Sequence, residues 1–71
     1  MSLHGQVTAF DDDAGLGTIT ADDGTAFAFH CTQIADGSRT IEVGVEVDFD
    51  LLARLGGWEA TGVTPVGSSR T

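Results

Sequence analysis

The chain has 71 residues, enough for one small domain and too few for a second. Eleven acidic residues face three arginines and no lysine, a formal net charge of −8 that suits solubility and repels polyanions. A lone cysteine excludes an internal disulfide, no apolar run approaches a membrane span, and Met1-Ser2-Leu3 has no signal-peptide character, so a reduced, cytoplasmic protein is expected.

Gln6-Val7-Thr8-Ala9-Phe10 reads as a first strand with Val7 and Phe10 turned inward. Their separation breaks strict alternation and predicts a bulge near Thr8 and Ala9, the usual way to bend a strand around a small barrel. Asp11-Asp12-Asp13-Ala14-Gly15 then turns the chain, because aspartate bonds locally to backbone and glycine accepts positive φ. Leu16-Gly17-Thr18-Ile19-Thr20-Ala21 is the second strand, with Ile19 inward and Leu16 and Thr18 outward. Its mid-strand Gly17 predicts a close approach or strong curvature. Asp22-Asp23-Gly24-Thr25 is a hairpin turn, and it leads into Ala26-Phe27-Ala28-Phe29-His30. There Phe27 and Phe29 point to the buried side while Ala28 and His30 point away.

No period holds between Cys31 and Gly44. Thr32-Gln33-Ile34 suits a single 3-10 turn with Ile34 tucked beneath the sheet, and Asp36-Gly37 is another turn. The connection is long enough to cross between sheets, as a Greek key requires. Val45-Glu46-Val47-Asp48-Phe49-Asp50-Leu51 alternates cleanly, with four apolar residues inside and three carboxylates outside. Gly56-Gly57 turns it into a closing strand over residues 58–63, which Pro65 ends. The expectation is an all-β, five-stranded Greek-key barrel over residues 1–66, with no helix, and a disordered polar tail at residues 67–71.

Gly5-Gln6-Val7, Ala14-Gly15-Leu16-Gly17-Thr18-Ile19, Phe27-Ala28-Phe29-His30-Cys31 and Asp36-Gly37-Ser38-Arg39-Thr40-Ile41, in this order and spacing, resemble the bacterial cold-shock domain. That family is a five-stranded oligonucleotide-binding barrel (OB-fold), and the likeness runs over residues 5–65. It implies binding of single-stranded RNA or DNA, as a chaperone or regulator, with bases stacked on outward aromatics and lysines holding the backbone. The family's Lys-Gly-Phe-Gly-Phe-Ile is matched here by residues 14–19, which keep the glycines and Ile19 and lose the lysine and both aromatics. Its Val-Phe-Val-His-Phe is matched by residues 27–31: the outward phenylalanines become Ala28 and Cys31, and the inward valines become Phe27 and Phe29. Thr8 and Ala9 stand where the family has lysine and tryptophan, and Ser38 where it has a loop phenylalanine.

His30 and Arg39 are therefore the inherited contact candidates, with Leu16 and Gln6 as weaker ones and Trp58 as an additional aromatic. Binding is expected to be weak or altered in mode, since stacking contributes about 1–3 kcal/mol per base. Each residue also has a structural alternative. His30 can be satisfied by neighbouring backbone, and Arg39 is expected to pair with Asp36 or Glu42. Trp58 is expected to be partly buried beside Leu55 at the barrel rim rather than to stack a base or anchor a partner. The alternative function is a protein-interaction or self-associating module, a homodimer included, because Ala9, Leu16, Thr18, Ala28 and Cys31 make a small, uncharged platform.

No cofactor or metal is expected. The Asp11–Asp13 and Asp22–Asp23 runs lack calcium-loop spacing and read as turns. His30 and Cys31, adjacent in a strand, point to opposite faces, which argues against a zinc site and against a nucleophile–base pair. The chain is not expected to be an enzyme.

Overall fold

The computed structural model describes residues 3–66, so the tail expected at residues 67–71 lies outside the described residues. Strands β1 (Leu3–Asp11), β2 (Leu16–Ala21) and β3 (Ala26–His30) form an antiparallel meander. A 3-10 turn (Cys31–Gln33) follows, and β4 (Glu46–Arg54) and β5 (Gly57–Pro65) form a hairpin. The barrel closes in the order β1-β2-β3-β5-β4, with β3 parallel to β5, as the Greek-key expectation requires. β1 runs beyond its predicted span because its first half pairs with both β2 and β4. No helix among the described residues is long and apolar enough to cross a membrane.

Period-two alternation becomes the core. Val7, Ile19, Phe29, Val47, Ala60 and Val63 are wholly shielded from solvent, and Ile34 and Phe49 nearly so. Burying a side chain of the larger kinds contributes about 1.5–3 kcal/mol, so these few residues supply most of the favourable free energy. Phe27 is half-buried against Phe49, ring centroids 5.9 Å apart, and Phe10 is half-buried in a stack on Phe29 at 6.0 Å. Gly17 makes that second stack possible. It lies between Phe10 and Phe29 in register, and a Cβ there would come within 2.6 Å of the Phe29 ring and 2.8 Å of the Phe10 ring.

The predicted bulge in β1 is present: pairing steps from Val7–Ile19 to Ala9–Thr18 and leaves Thr8 as the extra residue. Its hydroxyl lies 3.0 Å from that of Thr20, so the bulge is tied to the neighbouring strand. A second register shift, between Asp48 and Asp50, has no counterpart in the clean alternation of residues 45–51. It comes from the partner strand, where Gly62 adopts a φ of 59° and β5 carries the additional residue.

The acidic turns use their carboxylates on backbone. Asp11 accepts from the amides of Asp13 (3.0 Å) and Ala14 (3.3 Å), Asp23 from Thr25 (2.9 Å) and Asp36 from Ser38 (2.9 Å). The Thr25 and Ser38 amides hold the carboxyls of Asp23 and Asp36 below the usual range. Among the described residues, no group of three or more His, Cys, Asp or Glu side chains converges on a metal position.

His4 joins three elements. Its Nδ1 lies 3.0 Å from Asp22 in the β2–β3 turn and its Nε2 lies 3.3 Å from Glu46 on β4, with Asp48 opposite it in register. The Asp22 hydrogen bond, opposed by desolvation and assisted by the charges of Asp22, Glu46 and Asp48, raises its pKa above the ordinary 6.5. The folded state thus holds this proton more tightly than the unfolded chain. Its contribution to stability is complete below 6.5 and is lost as pH rises through the raised folded value. Between about pH 6 and about pH 8.5, the melting temperature of the wild type is expected to fall further than that of His4→Gln. Equal falls in the two proteins would show that His4 does not tie these strands together.

Candidate nucleic-acid interface

Register places three rows of residues across the outer face of β1, β2 and β3: Gln6–Thr20–Ala26, Ala9–Thr18–Ala28 and Asp11–Leu16–His30. The bulge at Thr8 brings Ala9 onto this face, since without it the alternation of β1 would turn Ala9 inward. The middle of the face is a shallow groove of about 410 Å³ lined by Ala9, Phe10, Asp11, Leu16, Gly17, Thr18 and Ala28. Its floor includes Phe10, which the pattern assigns to the core alone. The bulge turns that ring toward the core, but its register partner Gly17 has no side chain to cover it, so the ring stays only half-buried.

Leu16, 51% exposed, lines the groove and lies opposite His30 in register. His30 ends β3 and caps the 3-10 turn: its Nδ1 accepts from the Thr32 amide at 3.2 Å and lies 2.9 Å from the Thr32 hydroxyl. Acceptance at Nδ1 leaves the ring proton on Nε2, which has no hydrogen-bond partner among the described residues. The structural reading of His30 is thus met at Nδ1, which serves the backbone of the turn.

Arg39 is exposed in the loop before β4. The ion pairs among the described residues are His4–Asp22, His4–Glu46 and Arg54–Glu59, so the expected pairing of Arg39 with Asp36 or Glu42 is not found. Asp36 instead closes its own turn through Ser38. Arg39 lines a cleft of about 400 Å³ with Cys31, Thr32, Ile34, Gly37 and Ser38. The structure thus brings Arg39 to the end of the face where His30 sits, one residue from Cys31.

Gln6 stands apart at the other end. Its amide nitrogen donates to the Gly44 carbonyl at 3.1 Å and fastens the loop that enters β4. Trp58 also lies outside the cluster, and its expected packing beside Leu55 does not occur: Trp58 is 60% exposed and Leu55 protrudes entirely at the hairpin tip. The reason is geometric. The β4–β5 pairing continues through Ala53–Trp58 and Arg54–Gly57, whereas β3 meets β5 only at Ala28–Glu59, so no third strand covers the end of the hairpin.

His30 and Cys31 do not point to opposite faces. The strand ends at His30 and Cys31 begins the 3-10 turn, which swings the half-buried thiol to 3.9 Å from the His30 Nδ1. That nitrogen is already engaged by Thr32, so the pair has no free base aimed at the sulfur.

Comparison with known proteins agrees with this geometry. The family described as the 'Cold-shock' DNA-binding domain matches residues 3–66. A cold shock-like protein of Aquifex aeolicus is 38% identical over 69 residues, spanning 94% of this chain and 99% of the relative. Cold shock protein 2 of Lactiplantibacillus plantarum is 38% identical over 63 residues, spanning 87% of this chain and 96% of the relative. Among solved structures, drosophila Unr CSD456 superposes with a TM-score of 0.81 at 19% identity, covering all of this chain and 29% of that one, a likeness of fold. With a closed OB-fold barrel, the strand register of its outer face and a family match over nearly its whole length, the chain belongs to the cold-shock domain family.

Proposed function

We propose that the protein binds single-stranded RNA or DNA in the cytoplasm, as a chaperone or regulator, weakly and at the His30–Arg39 end of its outer face. The observation that carries this reading is an arginine without an ion pair among the described residues, in a cleft that starts beside an imidazole with a free Nε2. Those are the two family contact residues this sequence retains. A binding role rather than catalysis is supported by the engagement of the His30 Nδ1 with Thr32.

The affinity follows from what remains. At this end His30 is the ring among the candidates, and stacking at about 1–3 kcal/mol per base keeps dissociation constants weaker than about tens of micromolar at low salt. Few phosphates are neutralised, so the salt dependence is shallow, with about −0.7 in log–log slope for each phosphate contacted on a single strand. Titration of a labelled pyrimidine-rich oligonucleotide, read by fluorescence anisotropy, is expected to give weak binding, and Arg39→Ala is expected to flatten the slope by about 0.7. Tight, steeply salt-dependent binding would refute the reading of the surface. An unchanged slope in Arg39→Ala would refute the site.

A second reading, a protein-interaction or self-associating module, is favoured by one observation: among the described residues the groove at the centre of the face is lined by apolar and small residues and Asp11, with no cation. A concentration series in sedimentation velocity separates a homodimer from a monomer that recruits another protein.

A further inference from the structure

The central groove has a charge frame that selects among its occupants. β2 runs through the middle of the face from Leu16 to Ala21, and an acidic turn stands at each of its ends. Asp11, Asp12 and Asp13 are exposed beside the Leu16–His30 row, and Asp22 and Asp23 are exposed beyond the Gln6–Thr20–Ala26 row. Among the described residues no cation lines the groove: Arg54 is held by Glu59 at 3.4 Å, and Arg39 faces the neighbouring cleft. At the β2–β3 turn Asp22 is shared with His4 at 3.0 Å, so the unshared negative charge is that of Asp23, whose carboxyl the Thr25 amide holds below its usual pKa.

We propose that this face docks an extended segment of a partner protein whose apolar centre fills the Leu16–Thr18–Ala28 groove and whose two ends carry lysine or arginine over the acidic turns. The inference rests on the protein-interaction reading above and fixes the chemistry of the partner. A six-residue strand such as β2 spans about 17–20 Å, so the basic ends of a ligand lying along it are about six residues apart. Apolar contact holds the centre while opposite charge at both ends sets orientation and excludes other ligands. A second copy would bring acidic turns onto acidic turns, each chain carrying −8. A polyanion meets the same repulsion.

The test uses the full chain, labelled with ¹⁵N, and the synthetic peptide acetyl-KRTLVLTRK-amide. Saturable shifts are expected at the amides of Ala9, Leu16, Thr18 and Ala28. A peptide with serine in place of its central Leu-Val-Leu, and one with glutamate in place of every basic residue, are expected to leave those amides unmoved. Leu16→Ser, at an exposed position that leaves the core intact, is expected to weaken binding about tenfold. Arg39→Ala, which flattens the oligonucleotide salt slope, leaves the peptide affinity unchanged, so failure of one reading is distinguishable from failure of the other. Three results overturn the proposal: equal binding of the serine peptide, shifts of the same amides by a dT oligonucleotide at lower concentration than by the peptide, or shifts that depend only on the protein's own concentration.

Discussion

Introducing Leu16→Phe, Thr18→Phe and Ala28→Phe together is expected to tighten binding of a pyrimidine-rich oligonucleotide at least about a hundredfold. All three positions belong to the outer face, Thr18 opposite Ala28 and Leu16 opposite His30, so the new rings form one platform across β2 and β3. Each stacked base contributes about 1–3 kcal/mol, and two decades of affinity need only about 2.7 kcal/mol, which leaves room for repulsion by the acidic turns. Cross-strand aromatic pairs are themselves stabilising by about 0.2–1 kcal/mol, so the fold is expected to survive. Anisotropy titration beside a thermal melt checks both halves of the expectation. A folded triple variant that binds no better than the wild type would show that loss of aromatics is not what limits this surface.

Phe29→Ala is expected to remove most of the folded population at ordinary temperature. Phe29 has no solvent-exposed surface, stacks on Phe10 and covers the open side of Gly17. Truncating a buried phenylalanine costs about 3–5 kcal/mol, while the low end of the usual range, about 0.05 kcal/mol per residue, gives a 71-residue domain only about 3.5 kcal/mol. Phe27→Ala, at a half-buried ring touching Phe49, is expected to cost distinctly less. Urea unfolding of both variants orders them. If Phe27→Ala proves the more damaging, the inward side of β3 is anchored by the wrong ring in this account.

Local chemistry in the sequence was enough for most of the architecture. Phe27 and Phe29 at strand period oriented β3, Asp–Gly pairs located the turns, and the broken spacing of Val7 and Phe10 announced the bulge that carries Ala9 outward. Long-range pairing was not legible. The bridge from His4 to Asp22 and Glu46 joins β1, the β2–β3 turn and β4, which are distant along the chain, and no local pattern encodes it. The exposure of Trp58 depends on where β5 departs from β3, which periodicity does not report. Gly62 stood in a strand as a plain bulge signal, masked by the regular alternation on its partner β4. At the candidate site, the residue types of His30 and Arg39 were readable and a 3-10 turn was expected at Thr32-Gln33-Ile34, but not its start one residue earlier, at Cys31, which makes the His30 imidazole its cap through Thr32.

The closure between β3 and β5 is unusual in what it is made of. Glu59 meets Ala28 in the strand, but Thr61 bonds to Gln33 in the 3-10 turn, and the Val63 carbonyl accepts from the Ala35 amide just beyond it, where Ile34 and Val63 pair. The ring is therefore fastened by a short turn as well as by strand pairing, and that turn is clasped by His30. A ligand that immobilises the imidazole stiffens the fastening, and one that pulls Nδ1 away from Thr32 slackens it. Occupancy at the rim and integrity of the barrel are thermodynamically linked through one side chain.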